Sequence, residues 1–347
     1  MSAMRAATMV AFDRENPTSG LRVGEHPEPR AGTGWTRVRV HAVSLNLHDL
    51  WNLRGEGVPG PTDLPLVLGT DAAGITDDGR AVIVYPIVHG PGVGDDPLDQ
   101  DMTLLSDRYD GTAADYVAVP DECLVDKPPQ LSFDEAACLP TAYLTAYRML
   151  FVQAGLMPGQ RVLVQGAGGG LATAAVVLGR AAGLHVSVAS RDEHRIERAL
   201  ALGAHAGVRS GERVPRRVDA VIETVGEATW AHSLRSLRPG GVAVVAGATT
   251  GSAPSADLRR VYLRQLRVVG STMGSRAELE RLVEFLVATG TRPVIAQVLE
   301  LDRAEEALRR VDEGDVFGKV VLRVAPVRSA AVRSAVSSST GEENAHG

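Results

Sequence analysis

Residues 166–172 read Gly-Ala-Gly-Gly-Gly-Leu-Ala, between an apolar run, Arg161–Gln165, and a stretch of small residues, Leu171–Ala182. Glycines at this place serve a tight turn, a close approach of backbone to a pyrophosphate, and close packing of helix on strand. The amides of a helix N-terminus, with its positive dipole end, hold such an anion. Gly166, Ala167, Gly168, Gly169, Gly170 and Leu171 are therefore the candidate phosphate cradle. The competing reading is a glycine-rich connection that binds nothing.

About 20 residues past the cradle, a dinucleotide-binding domain reads the ribose of its cofactor. Here that place holds Ser190-Arg191, with Arg195 one helical turn on. An NAD site wants a carboxylate there, to accept from the ribose hydroxyls. A hydroxyl followed by a guanidinium suits a 2′-phosphate instead. The sequence thus favours NADP(H) over NAD(H), with Arg191 as a solvated helix-start residue for the alternative. Val225-Gly226, Gly247-Ala248 and Thr272-Met273 follow further apolar runs. They fall at the carboxyl ends of strands, where open α/β sheets bind ligands.

The surrounding elements support this placement. Arg161–Gln165, His185–Ser190, Ala220–Thr224, Val242–Ala246 and Leu266–Ser271 read as strands, alternating with helices Leu171–Ala182, Asp192–Leu202 and Ala228–Leu237. Continuous apolar strands suit a parallel sheet covered on both faces. The alternation predicts a doubly wound α/β domain. The first ~130 residues differ. Arg5–Phe12, Thr36–Ser44, Leu66–Ile75, Ala81–Tyr85 and Asp115–Val119 read as short strands separated by Gly, Pro and Asp clusters, an all-β module. Helices are expected at Phe133–Leu139, Tyr143–Gln153, Arg276–Thr289 and Asp302–Asp312, and strands at Arg292–Glu300 and Lys319–Val324. Residues 326–347 lack periodicity and read as a disordered tail.

Composition narrows the function classes. The chain has 347 residues, 36 basic against 42 acidic, for a net charge of −6. Such a balance disfavours nucleic acid or an anionic membrane as partner. No apolar stretch reaches the ~20 residues of a membrane span, and no signal-peptide pattern opens the chain. Two cysteines, Cys123 and Cys138, exclude a disulfide scaffold. A small-molecule substrate and a cytoplasmic setting are the expectations.

The segments AVSLNLHDLWNLRG (42–55), LVLGTDAAG (66–74), YDGTAADYVAVP (109–120), LPTAYLTAYRML (139–150), VLVQGAGGGLA (162–172), RPGG (238–241) and FGKVVL (317–322) occur in one order. Together they resemble the medium-chain dehydrogenase/reductase superfamily, of the alcohol dehydrogenase and quinone oxidoreductase type. The resemblance covers roughly residues 4–324. It implies an α/β protein with a GroES-like β domain (1–130, completed by 273–325) and a Rossmann domain (131–272), with the active site between them. It also implies a homodimer or homotetramer. It places Thr145 and Asn46 beside the nicotinamide, and returns Phe317-Gly318-Lys319 to the cofactor. Lys319 is one of only two lysines and is expected either to contact phosphate or to be an ordinary strand residue.

The chain departs from zinc-binding members. Asn46 stands where they have a cysteine ligand and Thr70 where they have a histidine ligand, and Pro86–Asp110 replaces their four-cysteine lobe. Neither side chain is a good zinc ligand, so a zinc-free site is expected. Without a metal, hydrogen-bond donors must stabilise the charge that develops on the acceptor. Asn46 can donate through its amide. His48, with an ordinary pKa near ~6.5, suits general-acid work, against the reading of a solvent-facing loop histidine. Asp49 orients its neighbours. Thr70 bonds Asn46 or fills the missing ligand's space. Tyr109 reaches the substrate or packs as a loop aromatic. The six aspartates of Pro86–Asp110 form an acidic lid or a solvated excursion.

The expected activity is zinc-independent, NADPH-dependent hydride transfer to an activated alkene, a quinone or a small carbonyl. The alternatives are an alcohol dehydrogenase working by hydrogen-bond polarisation, and a nucleotide-binding structural or regulatory protein without turnover.

Overall fold

The computed structural model describes residues 2–56, 63–90, 93–96, 98–99 and 101–324. The tail expected at 326–347 lies outside them. In chain order the first lobe contains β1 (Ala3–Met9), β2 (Leu21–Pro27), β3 (Trp35–Ser44), α1 (Leu47–Leu53), β4 (Leu66–Val67), β5 (Asp71–Thr76) and β6 (Ala81–Val84). A small hairpin, β7 (Ile87–Val88) and β8 (Thr103–Leu104), precedes β9 (Tyr116–Pro120) and β10 (Leu124–Asp126).

A helical run then crosses to the second lobe. It comprises α2 (Phe133–Ala137), a π-wound turn at Leu139–Tyr143, α3 (Leu144–Tyr147) and a second π-wound stretch, Arg148–Gln153. Ser132 and Glu135 start it with a reciprocal capping box. The second lobe alternates β11 (Arg161–Gln165), α4 (Gly170–Ala181), β12 (His185–Ser190), α5 (Glu193–Ala201), β13 (Ala206–Arg209), β14 (Val218–Glu223), α6 (Glu227–Ser236), β15 (Leu237–Val245), α7 (Leu258–Arg264) and β16 (Arg267–Gly270). The chain ends with α8 (Arg276–Thr289), β17 (Ile295–Glu300), α9 (Ala304–Glu313) and β18 (Lys319–Arg323).

All pairings in the second sheet are parallel, in the spatial order β13-β12-β11-β14-β15-β16. Numbered within the sheet, that is third, second, first, fourth, fifth, sixth. It is the doubly wound order whose direction reverses between the first and fourth strands. Val162, Leu163 and Val164 of β11 are fully buried, as a central strand covered on both faces requires. α4 packs close because its residues are small: a Cβ at Gly179 would stand 2.8 Å from Val186 of β12.

The first lobe is antiparallel apart from one pair. Its main sheet runs β10-β6-β5-β3-β18-β17, with β9 also on β3, and a three-stranded sheet, β2-β1-β4, lies beside it. β18 pairs antiparallel with β3, Val321 opposite Ser44. The C-terminal strands therefore complete the first lobe. This mixed α/β arrangement matches the expected GroES-like plus Rossmann fold class. The all-β reading of the first module needs one correction, since α1 interrupts it. Seven residues are too few for helical periodicity to show in a sequence. No helix among the described residues is long and apolar enough to cross a membrane.

Candidate active site

The glycine turn sits at the switch point, on the carboxyl end of β11. Gly166 adopts φ +84°, a left-handed backbone that favours glycine. Gly169 caps α4 and has no side chain of its own to bond the first-turn amides. A Cβ at Gly169 would meet nothing within 4 Å. Gly168 and Gly170 are confined instead: a Cβ would stand 2.9 Å from Arg195 Cδ at the first and 2.6 Å from Lys319 Cδ at the second. Ala167 is buried, and Leu171 lies in the first turn of α4.

The other cofactor candidates converge on the same sheet edge. Ser190 ends β12, is buried, and its Oγ accepts the Asp192 N–H at 3.2 Å. Arg191 is exposed beside it. Arg195 reaches back across Gly168 and donates to Gly314 O. Val225 and Gly226 follow β14, and Val225 Cγ2 lies 3.8 Å from the Cβ position of Gly166. Gly247 and Ala248 follow β15. Thr272 and Met273 follow β16, Met273 with φ +29°. Thr145 is buried on α3 and donates to Thr141 O at 2.7 Å. Gly318 N–H donates to Gly168 O at 2.9 Å, while Phe317 lies under the Arg198 guanidinium, 4.1 Å from its ring centre. The returning segment is thus stitched onto the glycine turn.

Sequence reasoning did not single out Glu223, which holds the neighbouring turn. Its buried carboxylate accepts from Val225 N at 2.9 Å, Gly226 N at 3.0 Å and Thr229 Oγ1 at 2.9 Å. An acid closing the strand run AVIE, residues 220–223, was the available signal.

Across the cleft, Asn46 precedes α1 as its N-cap and lies in a dense polar cluster. Its backbone N–H donates to Asp49 Oδ2 at 2.7 Å. Its amide Nδ2 donates to Asp71 Oδ2 at 2.9 Å, with longer contacts to Thr70 Oγ1 at 3.2 Å and Ser44 O at 3.3 Å. Thr141, from the π-wound turn of the crossing helix, donates to Asp71 Oδ1 at 2.5 Å. Asp71 thereby ties the two lobes. Burial pushes its carboxyl up, while Lys319 and the three donors pull it down, with a net upward shift. Asp49 is also driven up by burial, to about 7, and its Oδ1 has no partner among the described residues. Neither Asp71 nor Thr141 stood out as a site residue in the sequence. The one signal was an acid inside the apolar run LVLGTDAAG.

Three expectations are corrected. Lys319 does not extend toward a phosphate: its Nζ donates to Leu45 O at 2.6 Å and Asn46 Oδ1 at 2.5 Å. It also lies 3.8 Å from Asp71 Oδ2. His48 is not a solvent-facing imidazole held near its ordinary pKa. Its side chain is 15% exposed, with Nε2 3.5 Å from Asp107 Oδ1. Burial lowers its pKa from 6.5 to about 4, so it is neutral at pH 7 and unsuited to act as a general acid there. Tyr109 is 39% exposed and leans on Trp35, ring centres 5.3 Å apart. That contact fits a packed loop aromatic, the alternative reading of Tyr109.

The His48 shift has a measurable sign. Above pH 6.5 the imidazole is neutral in both folded and unfolded chains. Between 6.5 and about 4 only the unfolded chain takes the proton, so stability falls with falling pH. The loss attributable to this one group reaches about 3 kcal/mol. His48→Gln is expected to flatten that part of the acid limb in denaturant melts. An NMR titration of wild-type His48 should have its midpoint near pH 4, and a midpoint near 6.5 contradicts the assignment.

The described residues of 86–110 carry carboxylates that accept hydrogen bonds from the chain. Asp95 accepts from Arg276 N and Ala277 N at the start of α8. Asp99 accepts from Gly90 N and Asp101 N, and Asp107 from Asn52 Nδ2. Asp95 thereby ties its part of the loop to α8 and Asp107 to α1, while Asp99 holds the loop's own turn.

A metal fits this cluster poorly. Where a cysteine and a histidine would be needed, there are an amide and a hydroxyl, both already hydrogen-bonded. An ammonium already stands 2.5 Å from the amide oxygen. No group of three or more His, Cys, Asp or Glu able to hold a metal occurs among the described residues.

Comparison with known proteins adds relatives. A family model described as zinc-binding dehydrogenase matches residues 170–288. The zinc-type alcohol dehydrogenase-like protein YogA of Leptosphaeria maculans is 30% identical, over 88% of this chain and 94% of that one. An acryloyl-coenzyme A reductase of Sulfurisphaera tokodaii is 25% identical, over 91% of this chain and 100% of its own. The crystal structure of an NAD-dependent alcohol dehydrogenase superposes with a TM-score of 0.86 at 33% identity, covering 92% of this chain and 100% of that one.

Proposed function

The chain belongs to the medium-chain dehydrogenase/reductase superfamily, and from that premise we propose that it is a zinc-independent, NADPH-dependent reductase of activated alkenes, quinones or small carbonyls. That it is an oxidoreductase follows from the membership. The observation that carries the finer reading is the junction itself. An open glycine turn at the sheet's switch point lies beside a cluster of hydrogen-bonding side chains, joined to it by the stem of Lys319.

The bound dinucleotide would supply the hydride. In this reading the first-turn amides of α4 hold its pyrophosphate, and Gly169 lets it approach. Ser190 and Arg191 take the 2′-phosphate, with Arg195 alongside. Val225, Gly226, Gly247, Ala248, Thr272 and Met273 line its course along the strand ends, and Thr145 flanks the nicotinamide. Asn46 and Thr70 orient the acceptor. Burial drives the Asp49 carboxyl up, to about 7. The acryloyl-coenzyme A reductase relative favours the alkene substrate, since an acryloyl group is an alkene conjugated to a carbonyl. The alcohol dehydrogenase relatives keep a small carbonyl or alcohol as the second reading.

The experiment is NADPH and NADH consumption with a panel of enals, quinones and aldehydes, for wild type and Arg191→Ala. Wild type should prefer NADPH. Arg191→Ala should lose about tenfold or more in NADPH affinity, the worth of a charge-assisted hydrogen bond, and little with NADH. Equal loss for both cofactors would contradict the 2′-phosphate reading.

The proposed partner is a second copy of this chain. Leu258, Tyr262 and Leu263 on α7 and Val268 on β16 are exposed apolar side chains beside the sheet's outer edge. Light scattering should give a dimer or tetramer mass, and a monomer at micromolar concentration counts against it.

A further inference from the structure

We infer that Lys319 supplies the resident positive charge of the cleft and acts on the substrate's oxygen through the amide of Asn46, as a positioning residue. The inference rests on the hydride-transfer reading above, and its evidence is geometric. Lys319 opens β18 and is 3% exposed. Its stem runs against the first residue of α4, where a Cβ at Gly170 would meet it at 2.6 Å. The glycine at 170 therefore makes room for this lysine, apart from any role toward a phosphate. The ammonium ends between Leu45 O, Asn46 Oδ1 and the Asp71 carboxylate.

Burying an ammonium costs several kcal/mol, and this chain uses arginine at nearly every other basic position. A compact point charge with three rotatable donors fits here, where a planar guanidinium fork does not.

The neighbours fix which way the amide faces. Its oxygen must meet the ammonium and its nitrogen the Asp71 carboxylate. A donor bonded to the amide oxygen strengthens the N–H bonds on the other side. Of the two Nδ2 hydrogens, one serves Asp71 at 2.9 Å. The other is spread over the longer contacts to Thr70 and Ser44, and in the proposed complex it is the one that would turn to an acceptor oxygen. Hydride addition to the acceptor carbon sends the C=O π pair, directly or through a conjugated alkene, onto that oxygen. In carbonyl reduction that oxygen then takes a proton from water to give the alcohol; in alkene reduction the enolate takes the proton from water at its α carbon and the carbonyl is restored. Developing negative charge would thus meet an N–H polarised by a fixed cation.

The test uses 4-(dimethylamino)cinnamaldehyde, whose absorption moves to the red when its carbonyl oxygen is polarised. It is bound to full-length protein saturated with the non-reducing analogue tetrahydro-NADP. Wild type should show the red shift, and Lys319→Met should lose it. Lys319→Met should also lose about 100-fold in kcat for aldehyde reduction with the Kd for NADPH unchanged. Lys319→Met/Asp71→Asn removes both charges together and guards against misfolding. It should melt normally and still lack the shift. A folded Lys319→Met or double variant that keeps the red shift and kcat overturns the role of Lys319. So does an unshifted wild type that still turns over NADPH, or one equivalent of zinc per chain in purified wild type. Wild type that binds no NADPH overturns the hydride-transfer reading and this inference with it.

Discussion

Gly169→Val is expected to weaken NADPH binding about 100-fold, equivalent to about 3 kcal/mol, while the chain melts within a few degrees of wild type. The backbone at Gly169 has φ −70° and ψ 165°, which valine adopts freely. A Cβ there meets no protein atom within 4 Å, so the folded state gives up only the roughly 0.5–1 kcal/mol of a lost glycine N-cap, a shift of a few degrees at most. The added branches stand where a pyrophosphate must approach the first-turn amides of α4. The neighbouring glycines would not give so clean a result. At Gly168 and Gly170 a side chain strikes Arg195 or Lys319, and at Gly166 the left-handed backbone is itself strained by substitution. Fluorescence titration with NADPH, set beside a thermal melt, checks the result. Unchanged affinity would mean that the turn is a bare connection, and loss of the fold would mean that the packing around α4 has been misread.

The second large effect concerns stability. Asp71→Ala should cost about 3–5 kcal/mol, the range for breaking a buried charged pair, and lower the melting temperature by about 10 °C. Asp71 is fully buried and accepts from Thr141, Asn46 and Thr70. Its removal leaves those donors and the Lys319 ammonium unanswered. Because Thr141 belongs to the helical run that crosses between lobes, the loss also loosens the cleft. Lys319→Met on the Asp71→Ala background should recover a large part of the cost. A double-mutant cycle in denaturant measures that coupling. Additive losses would show that Lys319 and Asp71 do not depend on each other.

The Rossmann lobe was legible because its signals are local. Runs such as VLV and VAVV, punctuated by glycine, announce parallel strands, and the glycine turn announces its own place at a strand end. The return of β17 and β18 to the first lobe came from resemblance, since residues 292–324 alone do not say which sheet they join. The polar cluster was only half legible. Asn46, Asp49 and Thr70 stood out by type, but their partners arrive from far along the chain: Thr141 lies 70 residues from Asp71, and Lys319 lies 274 residues from Leu45. Residue type gave Lys319 a charge and no direction. His48 was misread for the same reason. Its pKa follows from its burial on α1 beside Asp107, and α1 is too short to announce itself. The aspartates of 86–110 looked like a charge run because the backbone amides that Asp95 and Asp99 answer are invisible in a composition.

If side-chain donors fixed by Lys319 and Asp71 do the work that a metal does in zinc-binding members, turnover needs no metal. The most direct measurement is NADPH-dependent reduction of an enal by the purified chain before and after exhaustive dialysis against a strong chelator. The same turnover is expected in both samples, with no gain on adding zinc. Turnover that vanishes on dialysis and returns with zinc would contradict that role for the donors.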